Sequence, residues 1–337
     1  GAVFWMWVSA FFGMATIYGE AVLAQKYKEV GEDGTVSGGP IYYIKAAFKG
    51  KLGTFLAGFF AVAIILALGF MGNMVQSNSI GDAFFTAFGV PKLAVGIAVA
   101  AVSAFIFLGG VKRIAAITEK LVPIMAIFYI CGSLIAIGMN AENILPALKS
   151  VFVGAFTPQA VMGGAIGISI KEAVRFGVAR GLFSNEAGMG STPHAHAMAK
   201  VAKPQDQGAV AMVGVFIDTF IVLTMTALIV ISTLYAKDGV IGKLIAQNEA
   251  ALDAGLKVVP VADLASLAGL TKANLAQQAF TMAFGGSKAA GIIGSIFVAI
   301  CLFFFAFSTI LSWNYFGKVN FLHLFGKNSN KIYVGIA

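Results

Sequence analysis

Residues 181–197, GLFSNEAGMGSTPHAHA, concentrate reactive side chains: the carboxylate of Glu186, the amide of Asn185, the hydroxyls of Ser184, Ser191 and Thr192, and the imidazoles of His194 and His196. Two histidines suggest a metal pair. On a helix, however, positions i and i+2 point about 200° apart, and helical metal pairs use i,i+4 spacing. Packing or hydrogen bonding is the better reading of both rings. A nucleophile–base pair such as Ser184 with His194 would need a third, orienting group. The two lie ten residues apart, and neither G-x-S-x-G nor H-E-x-x-H occurs in the chain. GMGS is not a phosphate loop either, since no G-x-x-x-x-G-K follows a strand. What remains is reversible binding: oxygen atoms for a small cation, and backbone amides for a carboxylate.

The setting of this stretch decides how unusual it is. The chain has 337 residues, of which 59% are hydrophobic and 11% charged, and its mean hydropathy is +0.88. A soluble domain averages about 25% charged residues. Several apolar runs reach the roughly 20 residues that a helix needs to cross a bilayer. They are continuous, whereas a β-barrel would need alternating segments of about ten residues. The reading is an all-α integral membrane protein that is a single transmembrane domain over 1–337. The net charge of +8 fits basic loops on the cytoplasmic side, with no basic stripe of the kind that binds nucleic acid. Cys131 and Cys301 lie inside apolar runs and read as packing residues.

Spans are expected at 2–24, 52–80, 93–111, 121–139, 209–235 and 290–312, with an interrupted segment over about 164–199 and another span beginning near 332. Residues 41–49, IYYIKAAFK, look like an interfacial amphipathic helix. The stretch 237–288 is expected to form short helices capping the outer face. Lys26, Lys28, Lys45, Lys49 and Lys51 fall in one loop. Counting such loops puts the basic side in the cytoplasm and the chain start outside. Trp5 and Trp7 then fit an outer aromatic belt, and Glu20 reads as gating or pairing with a loop lysine. No charged start and cleavage site of a signal peptide appears, and the apolar sequence at both ends is what a fragment of a longer protein would show.

In hydrocarbon every backbone N–H and C=O must be satisfied within the protein, so a broken helix is tolerated only where it is buried or lines a cavity. FSNEAGMG is a poor continuous helix. Gly181, Gly188 and Gly190 each cost up to about 1 kcal/mol relative to alanine, and Ser184 and Asn185 compete for backbone hydrogen bonds. An outer half-helix ending near Leu182 and an inner one from about Ala187 to Ala199 are expected. A half-helix N-terminus can hold a substrate carboxylate while freed carbonyls hold a cation. Close helix packing through the glycines is the alternative.

RGLFSNEAGMGSTPHAHA (180–197) resembles the signature of the alanine or glycine:cation symporter family. The resemblance extends through FWMWVSAFFGMATIYGEAVLA (4–24), GGPIYYI (38–44), GNMVQSNSI (72–80), GGVKRIAAITEKLVPIMA (109–126), VFIDT (215–219) and FAFSTILSWNYFG (305–317). It implies a LeuT-type five-plus-five inverted repeat in which sodium, or sometimes a proton, drives uptake of a small neutral amino acid by alternating access. The family's earlier broken helix, with a Gly-Thr-Gly-Asn-type run, has no counterpart here. The match is to core helices two to eight plus the start of nine.

The resemblance implies a substrate site from Phe183, Ser184, Asn185, Glu186 and Gly188, with amides near Gly188 and Gly190 toward the substrate carboxylate. It implies cation ligands at Ser184, Asn185, Asp218, Thr219, Ser308 and Thr309. The co-transported ion is sodium, with no other cofactor and no transition metal. Asn73, Gln76 and Ser77 share a helix face, and Gln76 reads as a substrate contact, with interhelical hydrogen bonding as the alternative. Ser308 and Thr309 read either as sodium ligands, since hard cations take oxygen, or as hydroxyls bonded back one turn. Asp218 and Thr219 read as a functional site or as a buried link between helices. The rival function classes are an intramembrane enzyme, a channel and a non-transporting receptor-like relative.

Overall fold

The computed structural model describes residues 1–31, 36–156, 166–254, 261–270, 272–326 and 329–336. Apart from one short antiparallel ribbon, Glu29–Val30 with Val36–Ser37, the described regular structure is helical. Among the described residues, five helices are long and apolar enough to cross a membrane. These are α1 (Ala2–Lys26), α3 (Lys51–Phe88), α5 (Gly110–Met139), α9 (Pro204–Thr233) and α13, the last spanning Lys288–Phe325. The shorter helices are α2 (Pro40–Ala47), α4 (Lys92–Leu108), α6 (Ile144–Phe156), α7 (Ile166–Asn185), α8 (Pro193–His196), α10 (Val240–Asp253), α11 (Val261–Leu267), α12 (Lys272–Ala283) and α14 (Asn330–Ile336).

Two helices start where a side chain supplies what a helix end lacks. Pro204 opens α9, and Asp206 accepts the Lys203 amide at 3.1 Å. Ser287 caps α13 by accepting from the Ala290 amide. Both serve the first-turn donors that have no partner within the helix. Two spans contain widened turns, Ile65–Gly72 in α3 and Ile217–Leu223 in α9. There the hydrogen bonds run i→i+5, a geometry that often marks functional positions.

α1 lies between α7 and α9 and touches both through small residues. A Cβ at Gly177 would meet Trp5 Cβ at 2.8 Å, and one at Gly208 would meet the Tyr18 ring at 2.7 Å. Ala10, Ile17, Ala21, Ala187, Ala211 and Val215 form one buried cluster along this seam. In a bilayer, dispersion contact between close backbones replaces the hydrophobic drive. α13 is the other axis. Ile310 and Leu311 pack with Ile80, Val95 and Val99 of α3 and α4. Trp313 and Phe316 pack with Ile64 and Leu68 of α3.

The stretch 237–288 does contain short helices. Ile241, Leu264 and Phe280 from α10, α11 and α12 are buried against Tyr129 of α5, Ile229 of α9 and Cys301 of α13. Most expected spans are met but lengthened: 52–80 is part of a helix reaching Phe88, and 290–312 runs on to Phe325. The span expected at 93–111 ends at Leu108, and Gly110 begins the next helix. Residues 164 and 165 of the expected interrupted segment lie outside the described residues. α6 was not expected. Its 13 residues are too few to span and contain Pro146 and Lys149. Its buried face, Ala147, Val151 and Ala155, packs against the start of α1, where Trp5 Nε1 donates to the Ala155 carbonyl at 3.3 Å.

Replacing Gly208 by leucine should push α1 away from α9 and cost about 1–3 kcal/mol, the usual range for overpacking. A leucine at Gly96, where an added Cβ meets nothing within 4 Å, should cost nothing measurable. Thermal midpoints of the two variants in one detergent check this. Equal midpoints would contradict the close seam.

Candidate functional site

The helix break sits where α7 ends. Asn185 is its last residue, and Glu186 follows with φ of +57°, the single non-glycine residue with positive φ among those described. Gly188 and Gly190 follow at +86° and +72°. Left-handed residues in this position end helices, and glycine occupies them without steric cost. The expected end near Leu182 is corrected to Asn185. Ser184 does not compete for the backbone, because its side chain is engaged by another helix, whereas Asn185 divides its amide between another helix and the Ala187 backbone N–H. The expected inner half-helix from Ala187 is shorter too. It is a turn through Thr192 followed by the four residues of α8.

Ser184 Oγ donates to Asp218, 3.0 and 2.8 Å from its two carboxylate oxygens. Asn185 Nδ2 donates to Thr219 Oγ at 3.2 Å, and its Oδ1 accepts the Ala187 amide at 3.1 Å. Thr219 Oγ lies 3.2 Å from Asp218 as well. These four residues thus form one polar cluster between α7 and α9. Asp218 and Thr219 sit in the widened turn of α9, and Thr224 Oγ donates to the Thr219 carbonyl at 3.1 Å. Trp7 Nε1 donates in turn to Thr224 at 2.8 Å.

The second cluster forms on the turn itself. The amides of Gly188 and Gly190 each donate to Glu20 of α1 at 3.0 Å, one to each carboxylate oxygen. The expectation that Glu20 pairs with a loop lysine is therefore corrected. Among the described residues, no lysine or arginine forms an ion pair with it. The signal was present, since an intramembrane carboxylate is a functional candidate by default. Its partners were unreadable because they are backbone atoms 168 and 170 residues away.

Glu186 forms the third cluster. It accepts from Ser191 Oγ and, at 2.6 Å, from Trp313 Nε1 of α13. Phe183 stands edge-on to the same indole, ring centroids 5.7 Å apart. Trp313 is 1% exposed, and no residue-type signal tied it to a carboxylate 127 positions away. Three carboxylates, Glu20, Glu186 and Asp218, thus serve the break, and none is in an ion pair with lysine or arginine among the described residues. Among the same residues, no three His, Cys, Asp or Glu side chains gather closely enough to hold one metal ion.

His194 and His196 take separate partners. His194 Nδ1 donates to the Ser191 carbonyl at 2.7 Å, and Nε2 accepts from Asn320 of α13 at 2.8 Å. These two bonds fix the Nδ1–H tautomer. The ring is stacked between Phe60 and Phe316. His196 Nδ1 meets Gln207 Nε2 at 2.8 Å. Gln25 Nε2 donates to the Ala199 carbonyl at 2.9 Å, tying the end of the segment to α1.

The remaining expected residues lie on other helices. Gln76 is half-buried on α3 and has no hydrogen bond among the described residues. Its neighbour Asn73 donates to the Gly69 carbonyl at 3.1 Å. Ser308 and Thr309 both donate to the Phe305 carbonyl at 2.9 Å. This is the back-bonded arrangement, which leaves oxygen lone pairs free.

A sequence model of the sodium:alanine symporter family matches residues 1–336. The chain is 40% identical over 334 residues to the sodium/alanine symporter AgcS of Methanococcus maripaludis, covering 99% of this chain and 66% of that protein. It is 39% identical over 325 residues to the putative sodium/proton-dependent alanine carrier protein YrbD of Bacillus subtilis, covering 96% and 61%. It is 35% identical over 335 residues to the probable sodium/glutamine symporter GlnT of the same organism, covering 99% and 61%. The chain spans about two thirds or less of the length of these curated relatives. It belongs to the sodium:alanine symporter family, a family of transporters rather than enzymes.

Glu20→Ala should leave two amides without an acceptor, at about 1–3 kcal/mol each. Glu20→Gln, which keeps one oxygen acceptor, should lose about half as much. The thermal midpoint of the full-length protein in detergent reads both. Equal midpoints for wild type, glutamine and alanine would show that the Glu20 clamp does not hold the break.

Proposed function

We propose that this member of the sodium:alanine symporter family forms the central part of a cell-membrane symporter, in which entry of sodium, or of a proton, drives uptake of a small neutral amino acid such as alanine or glycine. The observation that carries the reading is the helix break served by three carboxylates with no basic ion-pair partner among the described residues. Negative charge without a cation in a low-dielectric setting attracts one. A cation and an amino-acid ammonium are what a symporter supplies. The names of the relatives, sodium/alanine symporter and sodium/proton-dependent alanine carrier, support the same substrates.

In this reading the substrate meets Phe183, Ser184, Asn185, Glu186, Gly188 and Gln76. The Gly188 amide is engaged by Glu20, so Gly188 contributes mainly the lack of a side chain at a turn with φ of +86°. Gln76, with both ends of its amide free of partners among the described residues, suits the substrate's polar groups. Ser184, Asn185, Asp218 and Thr219 offer oxygens to the cation, and Ser308 and Thr309 offer two more on α13. Hard cations prefer such ligands. The fold we propose is a LeuT-type five-plus-five inverted repeat, α1 to α13 supplying core helices two to eight and α14 the start of nine. The chain start and the cap α10–α12 then lie outside, and the loop bearing α2 lies in the cytoplasm.

Full-length protein in liposomes should accumulate labelled alanine when a sodium gradient points inward, and not when potassium replaces sodium. Asn185→Ala should abolish this uptake while the protein still inserts and remains monodisperse, because its amide joins α7 to Thr219 and closes the turn at Ala187. Wild-type uptake by that variant would sink the site. Equal uptake in sodium and potassium would sink sodium coupling and leave the proton.

A further inference from the structure

The elbow between α2 and α3 has features that the transport site does not use. It borders an open groove of about 700 Å³ lined by Lys45, Phe48, Gly50, Lys51, Thr54 and Phe55. Lys49 is exposed between them. Among the described residues, none of Lys45, Lys49 and Lys51 is paired with a carboxylate. Lys45 Nζ lies 2.9 Å from His323 Nε2 at the end of α13, an uncharged acceptor in that bond, so its positive charge is not neutralised. α3 starts at the groove, and Gly50 supplies no side-chain cap for its first turn. Uncapped amides at a helix start favour an anion.

Below the basic rim the surface is apolar. Phe55 and Phe59, one turn apart on α3, are 67% and 68% exposed, and Leu52 and Phe48 are 57% and 48% exposed. A positive rim continuous with an exposed aromatic stripe matches a molecule with an anionic head and hydrocarbon chains. Free phosphate would use only the rim. The elbow is also tightly built. Gly50 takes φ of +74°, and a Cβ at Gly53 would collide with the Phe48 carbonyl.

We propose that the elbow of α2 and α3 is a binding site for the headgroup of an anionic phospholipid, with Lys45, Lys49 and Lys51 around the phosphate and Phe48 and Phe55 against the start of the acyl chains. Basic pockets next to membrane spans take such headgroups, each lysine contributing about 1 kcal/mol. The site rests on the membrane reading of the chain and not on transport, so a failed uptake assay leaves it standing.

The test is lipid retention by the full-length protein in detergent, titrated with phosphatidylglycerol, phosphatidylcholine or inorganic phosphate. Wild type should retain phosphatidylglycerol over phosphatidylcholine. Replacing Lys45, Lys49 and Lys51 together by glutamine should weaken phosphatidylglycerol binding by about fivefold for each lysine. The same change at Lys112, Lys120 and Lys200, exposed lysines elsewhere, should leave binding unchanged. Lys51→Gln alone removes one charge and little packing, and should show a single fivefold step if the triple variant fails to fold. Equal retention of the two lipids, equal loss in the control triple, or displacement of the lipid by millimolar phosphate would each overturn the proposal.

Discussion

Two backbone amides at the break must find an acceptor, and much of the site's geometry follows from how they do. Water is not a partner inside a bilayer, and an unsatisfied amide there costs several kcal/mol. Glu20 answers with one oxygen for each amide. That bond pair holds the turn 186–190 against α1, while Ala187 packs in the same buried cluster as Ile17 and Ala21. With the turn fixed, α7 can stop at Asn185 and present Ser184 and Asn185 to α9, and Glu186 can face Trp313 on α13. Without that acceptor the turn would lose its tie to α1.

The helices around the break fall into two sets, joined by polar bonds and by packed rings. α1, α7 and α9 share the seam of small residues, and α3, α4 and α13 share a larger apolar face. Between the sets, Trp313 reaches Glu186 and Asn320 reaches His194. Packed contacts cross as well: Phe183 stands edge-on to Trp313, His194 stacks with Phe60 and Phe316, and Ile229 shares a cluster with Cys301. The polar bonds can be exchanged singly, while the packed contacts would have to part together.

Much of this was legible in the sequence. Long apolar runs announced the spans, because a bilayer demands about 20 such residues and no soluble fold does. The FSNEAGMG stretch announced the break, because glycine and short polar residues in hydrocarbon need a reason. The illegible parts are all long-range. Ser184 and Asn185 looked like helix breakers but are helical, since Asp218 and Thr219 satisfy them from 34 residues away. Glu20 was visible as an acid within a span, yet its partners are amides that carry no residue-type signal. Trp313 was one aromatic among many until a carboxylate stood beside its indole nitrogen. α6 was missed because a short helix containing proline and lysine resembles a loop until Val151 and Ala155 are seen packed on α1.

The widened turn at Ile217–Leu223 sets the aim of the acid it carries. A turn with i→i+5 bonds holds one more residue than the ordinary turn of 3.6. If that segment tightened to regular α-helix, everything on one side of it would rotate about 100° around the helix axis relative to the other. Asp218 and Thr219 lie at the start of the segment and would swing away from Ser184 and Asn185 or drag α7 with them. The winding of one helix thus sets which oxygens face the break. One extra residue in one turn of α9 therefore holds Asp218 and Thr219 in register with Ser184 and Asn185.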